Sequence, residues 1–164
     1  MAPKLKVDPA VADQLLSLDN QFCFALHAAS RMVVRAYRPL LRELDLTYSQ
    51  YLVLLVVWEW ARIEHPHPTV HELGERLDLD SGTLTPLLKR LEAKGLIARE
   101  RSSSDERELF VHITAEGRKL KQQACQVPLA LMKNSPIPLH EIMSLRDQLK
   151  RVRAVLTQHE DDLD

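Results

Sequence analysis

The sequence predicts a mainly α fold with a small β wing: a winged helix-turn-helix flanked by a helical dimerisation region drawn from both chain ends. Three observations predict it. Residues 80–114 read as a helix, a strand, a polar turn and a returning strand. A second short helix, Thr69 to Leu77, stands three residues before that block, and two short helices joined so closely make a helix-turn-helix. Both ends of the chain carry long apolar stripes at helical spacing, more apolar surface than one small domain covers.

Taken in order, residues 1–9 are charged, carry Pro3 and Pro9, and are expected to be disordered. Val11, Leu15, Leu18, Phe22, Leu26, Ala29, Val33 and Ala36 then recur every three or four positions and predict one long helix, ended or kinked by Pro39. At the next helix start Thr47 caps, Gln50 closes a capping box and Leu46 staples onto Tyr51. That start assigns Tyr51–Trp58 to a buried helix, although its three valines also suit a strand. The histidines of the next loop, His65, His67 and His71, read as part of a proline-stiffened surface linker. No cysteine or carboxylate completes a metal-ligand set beside them.

Thr69 and Glu72 form a second capping box, with Val70, Leu73 and Leu77 as the buried stripe. Asp80 caps the following helix, Leu84, Leu87, Leu88 and Leu91 face inward, and Gly95 stops it. Pro86 predicts a short irregularity inside it. Leu96 and Ile97 begin one strand, Leu109, Val111 and Ile113 alternate along the other, and Ser102 to Asp105 form a solvated tip. Thr114 caps a helix with the stripe Leu120, Ala124, Val127 and Leu131, kinked at Pro128. After a turn at Asn134 to Pro138, the last helix carries Leu139, Ile142, Leu145, Leu149, Val152 and Leu156. The expected organisation is dimerisation helices over 10–46 and 115–159, a DNA-binding domain over 47–114, and an acidic tail over 160–164.

A formal charge of −1 does not advertise nucleic-acid binding, and its distribution is more informative. The last eight residues hold Glu160, Asp161, Asp162 and Asp164 and no basic residue, so the remainder sums to +3. From Lys89 to Arg101 five basic residues stand against Glu92 and Glu100, a modest basic patch. No signal peptide is legible, and the apolar run Tyr51–Trp58 falls far short of the roughly 20 residues a membrane helix needs. A cytoplasmic protein with no membrane partner is expected. Two cysteines a hundred residues apart form neither a disulfide framework nor a zinc pattern, so no metal and no cofactor is expected.

The run from Asp80 to Glu92 (DSGTLTPLLKRLE), with Asp105-Glu-Arg107, resembles the MarR family of winged-helix regulators. The run Phe22 to Arg31 (FCFALHAASR) makes it similar to the organic-hydroperoxide-sensing OhrR branch, over about Leu18 to Pro128. The resemblance implies a homodimeric repressor, not an enzyme. It would bind an inverted-repeat operator in double-stranded DNA when reduced, and organic hydroperoxides would be its inducers.

The resemblance places the peroxide-sensing thiol at Cys23 and two hydroxyl donors to its sulfur at Tyr37 and Tyr48. Cys125 resembles the second cysteine of the two-cysteine members, which implies an intersubunit Cys23–Cys125 disulfide. Tyr37 lies fourteen residues beyond Cys23 in one helix, about 21 Å away, and so must serve the partner's thiol. His27, where some relatives have tyrosine, stands one turn from Cys23 and would be its charged or hydrogen-bonding neighbour.

Ser81, Thr83 and Thr85 suit base edges, Lys89 and Arg90 suit phosphates, and Arg107, oriented by Asp105, matches the family's minor-groove arginine. Rival readings are a regulator released by a small aromatic ligand, a thiol peroxidase using Cys23, and a helical dimer with no DNA target. The peroxidase leaves the basic wing without a role.

Overall fold

A computed structural model describes residues 8–65, 68–102, 108–133 and 135–161. The elements are α1 (Pro9–Leu16), a 3-10 turn (Leu18–Asn20), α2 (Phe22–Arg42), α3 (Tyr48–Arg62), α4 (Val70–Leu77), α5 (Ser81–Ala93), β1 (Ile97–Arg101), β2 (Leu109–Ile113), α6 (Ala115–Ala124), α7 (Gln126–Lys133) and α8 (Leu139–Asp161). Two compact units meet in sequence between Ala124 and Cys125.

The first unit is built on α3. Tyr51, Val53, Leu54, Val56, Val57, Trp58 and Trp60 are all buried along it, so α3 is covered on nearly every side. Leu73 of α4, Leu84, Leu88 and Leu91 of α5, and Ile97 and Val111 of the hairpin complete this core. The Trp58 indole N–H donates to the Gly117 carbonyl at 2.9 Å, which seats α6 on the same core.

Local signals determine most boundaries. The capping boxes at Thr47/Gln50 and Thr69/Glu72 both form. Asp80 caps α5 through the Thr83 amide at 2.9 Å. Thr114 caps α6 through the Gly117 amide at 3.0 Å. Gly95, at φ 68°, takes the left-handed conformation that ends α5 and turns the chain into β1. The strands pair antiparallel from Ile97 opposite Ile113 to Arg101 opposite Leu109.

Several expectations are corrected. The first long helix is broken between Leu16 and Phe22, because Asn20 and Gln21 turn their side-chain amides back to carbonyls, Asn20 to Gln14 at 2.8 Å and Gln21 to Ser17 at 3.4 Å. Pro39 does not end α2, which continues to Arg42. Pro39 and Arg35 are both exposed, so water is left to satisfy the Arg35 carbonyl that the proline cannot reach. Pro86 likewise sits inside a continuous α5.

The stretch before α4 is not a surface linker. Pro68 is buried, its carbonyl accepts from the Val111 amide at 2.8 Å, and Thr69 bridges Phe110, which adds a short third segment to the sheet. Ser102 is not solvated, since its amide donates to Glu108 at 3.0 Å and it is buried. His67, Asn134 and the expected tip residues beyond Ser102 lie outside the described residues.

The helix after Thr114 opens at Cys125, not at Pro128. Proline has no N–H to return to the carbonyl four residues back, that of Ala124, and its ring crowds it. The chain therefore breaks one turn ahead of the proline. In the second unit, the α8 stripe stays largely bare, with Leu139, Leu145 and Leu156 each more than half exposed at 51%, 53% and 58%. In the first unit, α2 buries only Leu41, and Phe22, Leu26 and Val33 are exposed.

Candidate redox and DNA-reading sites

The helix-turn-helix sets the first polar turns of α5 outward. Asp78 ends α4 in the left-handed conformation at φ 58°, and Asp80 starts α5 two residues later. Ser81 and Thr83 are exposed and Thr85 is half-buried. The Thr83 hydroxyl donates to Asp80 Oδ2 at 2.8 Å. These bonds from Thr83 hold the Asp80 carboxyl below its ordinary range. The hydroxyl proton is therefore committed to the cap, which leaves the exposed Thr83 oxygen to act as an acceptor. Lys89 and Arg90 are exposed farther along. Asp105 and Arg107 lie outside the described residues.

Two braces position this helix, and sequence reasoning missed both. Glu92 accepts from Arg99 Nε at 3.0 Å and from the Arg99 amide at 3.2 Å. Lys94 Nζ lies 2.9 Å from Asp45 Oδ2. Neither pair lies within one helix or one strand, so no periodic signal announces it.

The thiol neighbourhood divides into two places. Cys23 is exposed at the second position of α2, with His27 exposed one turn on and Phe22, Phe24 and Leu26 bare around it. Tyr37, at the far end of α2, meets Tyr48, the first residue of α3, edge to face with ring centroids 5.0 Å apart, and Tyr51 lies 6.0 Å from Tyr37. Burial raises both phenol pKa values above the ordinary 10.0, and for Tyr37 the neighbouring Tyr48 adds to the rise. Both are thus protonated donors at neutral pH. The structure brings Tyr37 and Tyr48 together and leaves Cys23 of the same chain about 21 Å down the helix, at ~1.5 Å per residue.

Cys125 is exposed in the break between α6 and α7, with Gln126 Nε2 3.8 Å from its sulfur. Among the described residues, no three His, Cys, Asp or Glu side chains gather as a metal would need. His65 lies beside Trp60 and 3.8 Å from Glu72, and His71 lies 3.6 Å from Glu75.

The family described as transcriptional regulator SarA/Rot matches residues 35–124. The organic hydroperoxide resistance transcriptional regulator of Bacillus subtilis (strain 168) is 47% identical over 132 residues, 79% of this chain and 86% of that protein.

This chain belongs to the MarR/SarA-type family of winged-helix transcriptional regulators.

Two solved structures are similar to this MarR/SarA-type regulator. Reduced AbfR bound to DNA superposes with a TM-score of 0.71 at 34% identity, over 89% of this chain and 99% of that one. Disulfide-formed AbfR superposes with a TM-score of 0.58 at 36% identity, over 88% and 98%. The SarA/Rot match takes in Tyr37, Tyr48 and the whole helix-turn-helix of this regulator, whereas Cys23, His27 and Cys125 fall outside it. No helix among the described residues is long and apolar enough to cross a membrane.

Proposed function

We propose that this regulator is a redox-sensing transcriptional repressor, not an enzyme. As a reduced cytoplasmic homodimer it binds an inverted-repeat operator, and it is released when an organic hydroperoxide oxidises Cys23. The observation that carries this reading is the Tyr37–Tyr48 pair, two protonated phenols 5.0 Å apart at the end of α2 opposite Cys23. A second subunit with an antiparallel α2 sets its own Cys23 against them. The bare stripes of α2 and α8 supply the surfaces for that pairing, so 10–46 and 115–159 dimerise while 47–114 reads DNA. The similarity to a hydroperoxide resistance regulator, and to a regulator solved both reduced on DNA and with a disulfide formed, supports the same reading.

The Cys23 thiolate attacks one peroxide oxygen, the S–O bond forms and the O–O bond breaks. The alkoxide takes a proton and leaves as an alcohol. Sulfur loses two electrons and the peroxide gains them. The phenol hydroxyls hold the thiolate by hydrogen bonds, and His27 lies one turn from it. The Cys125 thiolate of the other subunit then attacks the sulfenic sulfur, an S–S bond forms and hydroxide leaves as water. Cys125 sits at a helix break, where a shift in backbone meets the least resistance.

In the complex, Ser81, Thr83 and Thr85 meet base edges, Lys89 and Arg90 meet phosphates, and Arg107 enters the minor groove with Asp105 orienting it. Operator titration before and after one equivalent of organic hydroperoxide tests the whole reading. Wild type is expected to release DNA and to run as a disulfide-linked dimer without reductant. Cys23→Ser is expected to bind and never release. Release by Cys23→Ser at the wild-type dose would end the sensor assignment.

A further inference from the structure

Asp80 spends both carboxylate oxygens on one residue. Its Oδ1 accepts from the Thr83 amide at 2.9 Å, and its Oδ2 accepts from the Thr83 hydroxyl at 2.8 Å. Gly82 lies between them in sequence, and a Cβ added there would stand 3.0 Å from Asp80 Oδ1. The missing side chain gives the carboxylate room to lie along the first turn of α5.

An ionised carboxylate accepts hydrogen bonds and donates none, and a hydroxyl has a single proton to give. The Thr83 proton therefore points inward to Asp80. What the exposed Thr83 side chain presents to its surroundings is oxygen lone pairs and a methyl group. Ser81 behaves differently. It is exposed in the same turn, and its hydroxyl has no hydrogen-bond partner among the described residues, so it rotates to donate or accept as a neighbour requires.

Base edges in the major groove differ in the same property. Adenine and cytosine carry an amino donor there, whereas guanine and thymine offer acceptors alone. An oxygen without a free proton is drawn to the first pair of bases and repelled by the second. We propose that Asp80 sets the hydrogen-bond polarity of Thr83, so that residue 83 selects an adenine or cytosine amino group at the operator position it meets and rejects guanine and thymine. The inference rests on the reading of α5 as the DNA-recognition helix and adds the base chemistry that one of its side chains selects. Asp80 is a positioning residue in this arrangement, because it acts through Thr83.

The test selects binding sites from a random-sequence duplex library with reduced, full-length protein and reads the base preference at every position. Wild type is compared with Thr83→Val, Thr83→Ser and Asp80→Asn, and circular dichroism checks each fold. The position met by residue 83 is the one whose preference disappears in Thr83→Val. Wild type is expected to favour adenine or cytosine there by roughly fivefold, the worth of one neutral hydrogen bond. Thr83→Ser keeps hydroxyl and carboxylate and should keep the preference. Asparagine caps a helix as well as aspartate does. Its amide N–H donates to the Thr83 oxygen and turns the hydroxyl proton outward, so the preference in Asp80→Asn should move to guanine and thymine. Exchanging the selected adenine for purine, or the selected cytosine for pyrimidinone, deletes the amino group alone. That exchange should cost wild type the same factor and Asp80→Asn nothing, and it decides the matter in wild type should Asp80→Asn not fold. A wild-type preference for guanine or thymine at this position would overturn the polarity rule, as would an unchanged preference in Asp80→Asn or an amino deletion without cost in wild type. If Thr83→Val alters no position, residue 83 reads no base and the rule falls with that contact. If wild type enriches no sequence, the DNA-reading assignment itself fails.

Discussion

Glu92, in the last turn of α5, takes both the side chain and the backbone amide of Arg99, with Nε at 3.0 Å and the amide N at 3.2 Å. This pair fastens the recognition helix to the first wing strand across the Gly95 turn. The Arg99 side-chain hydrogen bonds, more than the nearby charge, hold Glu92 below its ordinary 4.5, against the opposing effect of burial. A carboxylate lowered on folding stabilises the native state above its unfolded pKa, and that contribution is lost as pH falls through the lowered native value. Glu92→Gln should therefore cost about 1 kcal/mol at pH 7, a charge-assisted bond discounted for exposure. It should also make the stability profile flatter below pH 4.5. Urea denaturation across pH checks this, and an unchanged midpoint at pH 7 would show the brace to be energetically idle.

Gly117 stands where α6 crosses the hairpin. A Cβ added there would sit 2.2 Å from the Leu96 carbonyl oxygen and 2.5 Å from Ile113 Cδ1. The first obstacle is backbone and has little room to yield. Gly117→Ala should destabilise by roughly 2–3 kcal/mol, as overpacking does. It should also shift Trp58 fluorescence, because relieving the clash displaces the residue-117 carbonyl to which the indole N–H donates. Wild-type stability in this variant would mean that α6 slides freely over the hairpin.

Tyr37→Phe and Tyr48→Phe remove one hydroxyl each and little else. A hydrogen bond to a thiolate worth about 1.5 kcal/mol corresponds to roughly tenfold in rate. Each variant should slow Cys23 oxidation by about that factor, while the reduced protein keeps its operator affinity. Stopped-flow oxidation of single and double variants separates the two contributions. Wild-type rates in the double variant would leave the phenols as packing alone.

Arg107→Ala should weaken operator binding, lower the slope of log affinity against log salt by about one, and leave peroxide oxidation intact. Binding titrations over a salt series measure both quantities. An unchanged slope would remove Arg107 from the DNA contacts.

The helix starts were legible because capping acts over three residues. Thr47 with Gln50, Thr69 with Glu72, and Asp80 with Thr83 each form the bonds that their spacing announces. The alternation of Leu109, Val111 and Ile113 likewise placed β2. Competition between neighbouring signals was harder to read. The stripe through Leu18 and Phe22 promised a continuous helix, yet the side-chain amides of Asn20 and Gln21 captured backbone carbonyls and broke it. The effect of proline was harder still to place, since it depends on whether the orphaned carbonyl faces water. At Pro39 and Pro86 the helix runs on, and ahead of Pro128 it opens at Cys125.

The sequence by itself determined the winged helix-turn-helix, its polar recognition turn and the bare helical stripes, because periodicity and capping are local and each residue carries its own share of the signal. It also marked Cys23, Cys125, Tyr37 and Tyr48 through their resemblance to a known pattern. Only the tertiary structure decided which side chains meet. Trp58 finds Gly117 from 59 residues away, and Lys94 finds Asp45 from 49. Tyr37 meets Tyr48 across the α2–α3 turn. Such pairings depend on the angle and depth at which helices pack on α3, which is set by the whole core and by no short stretch of chain.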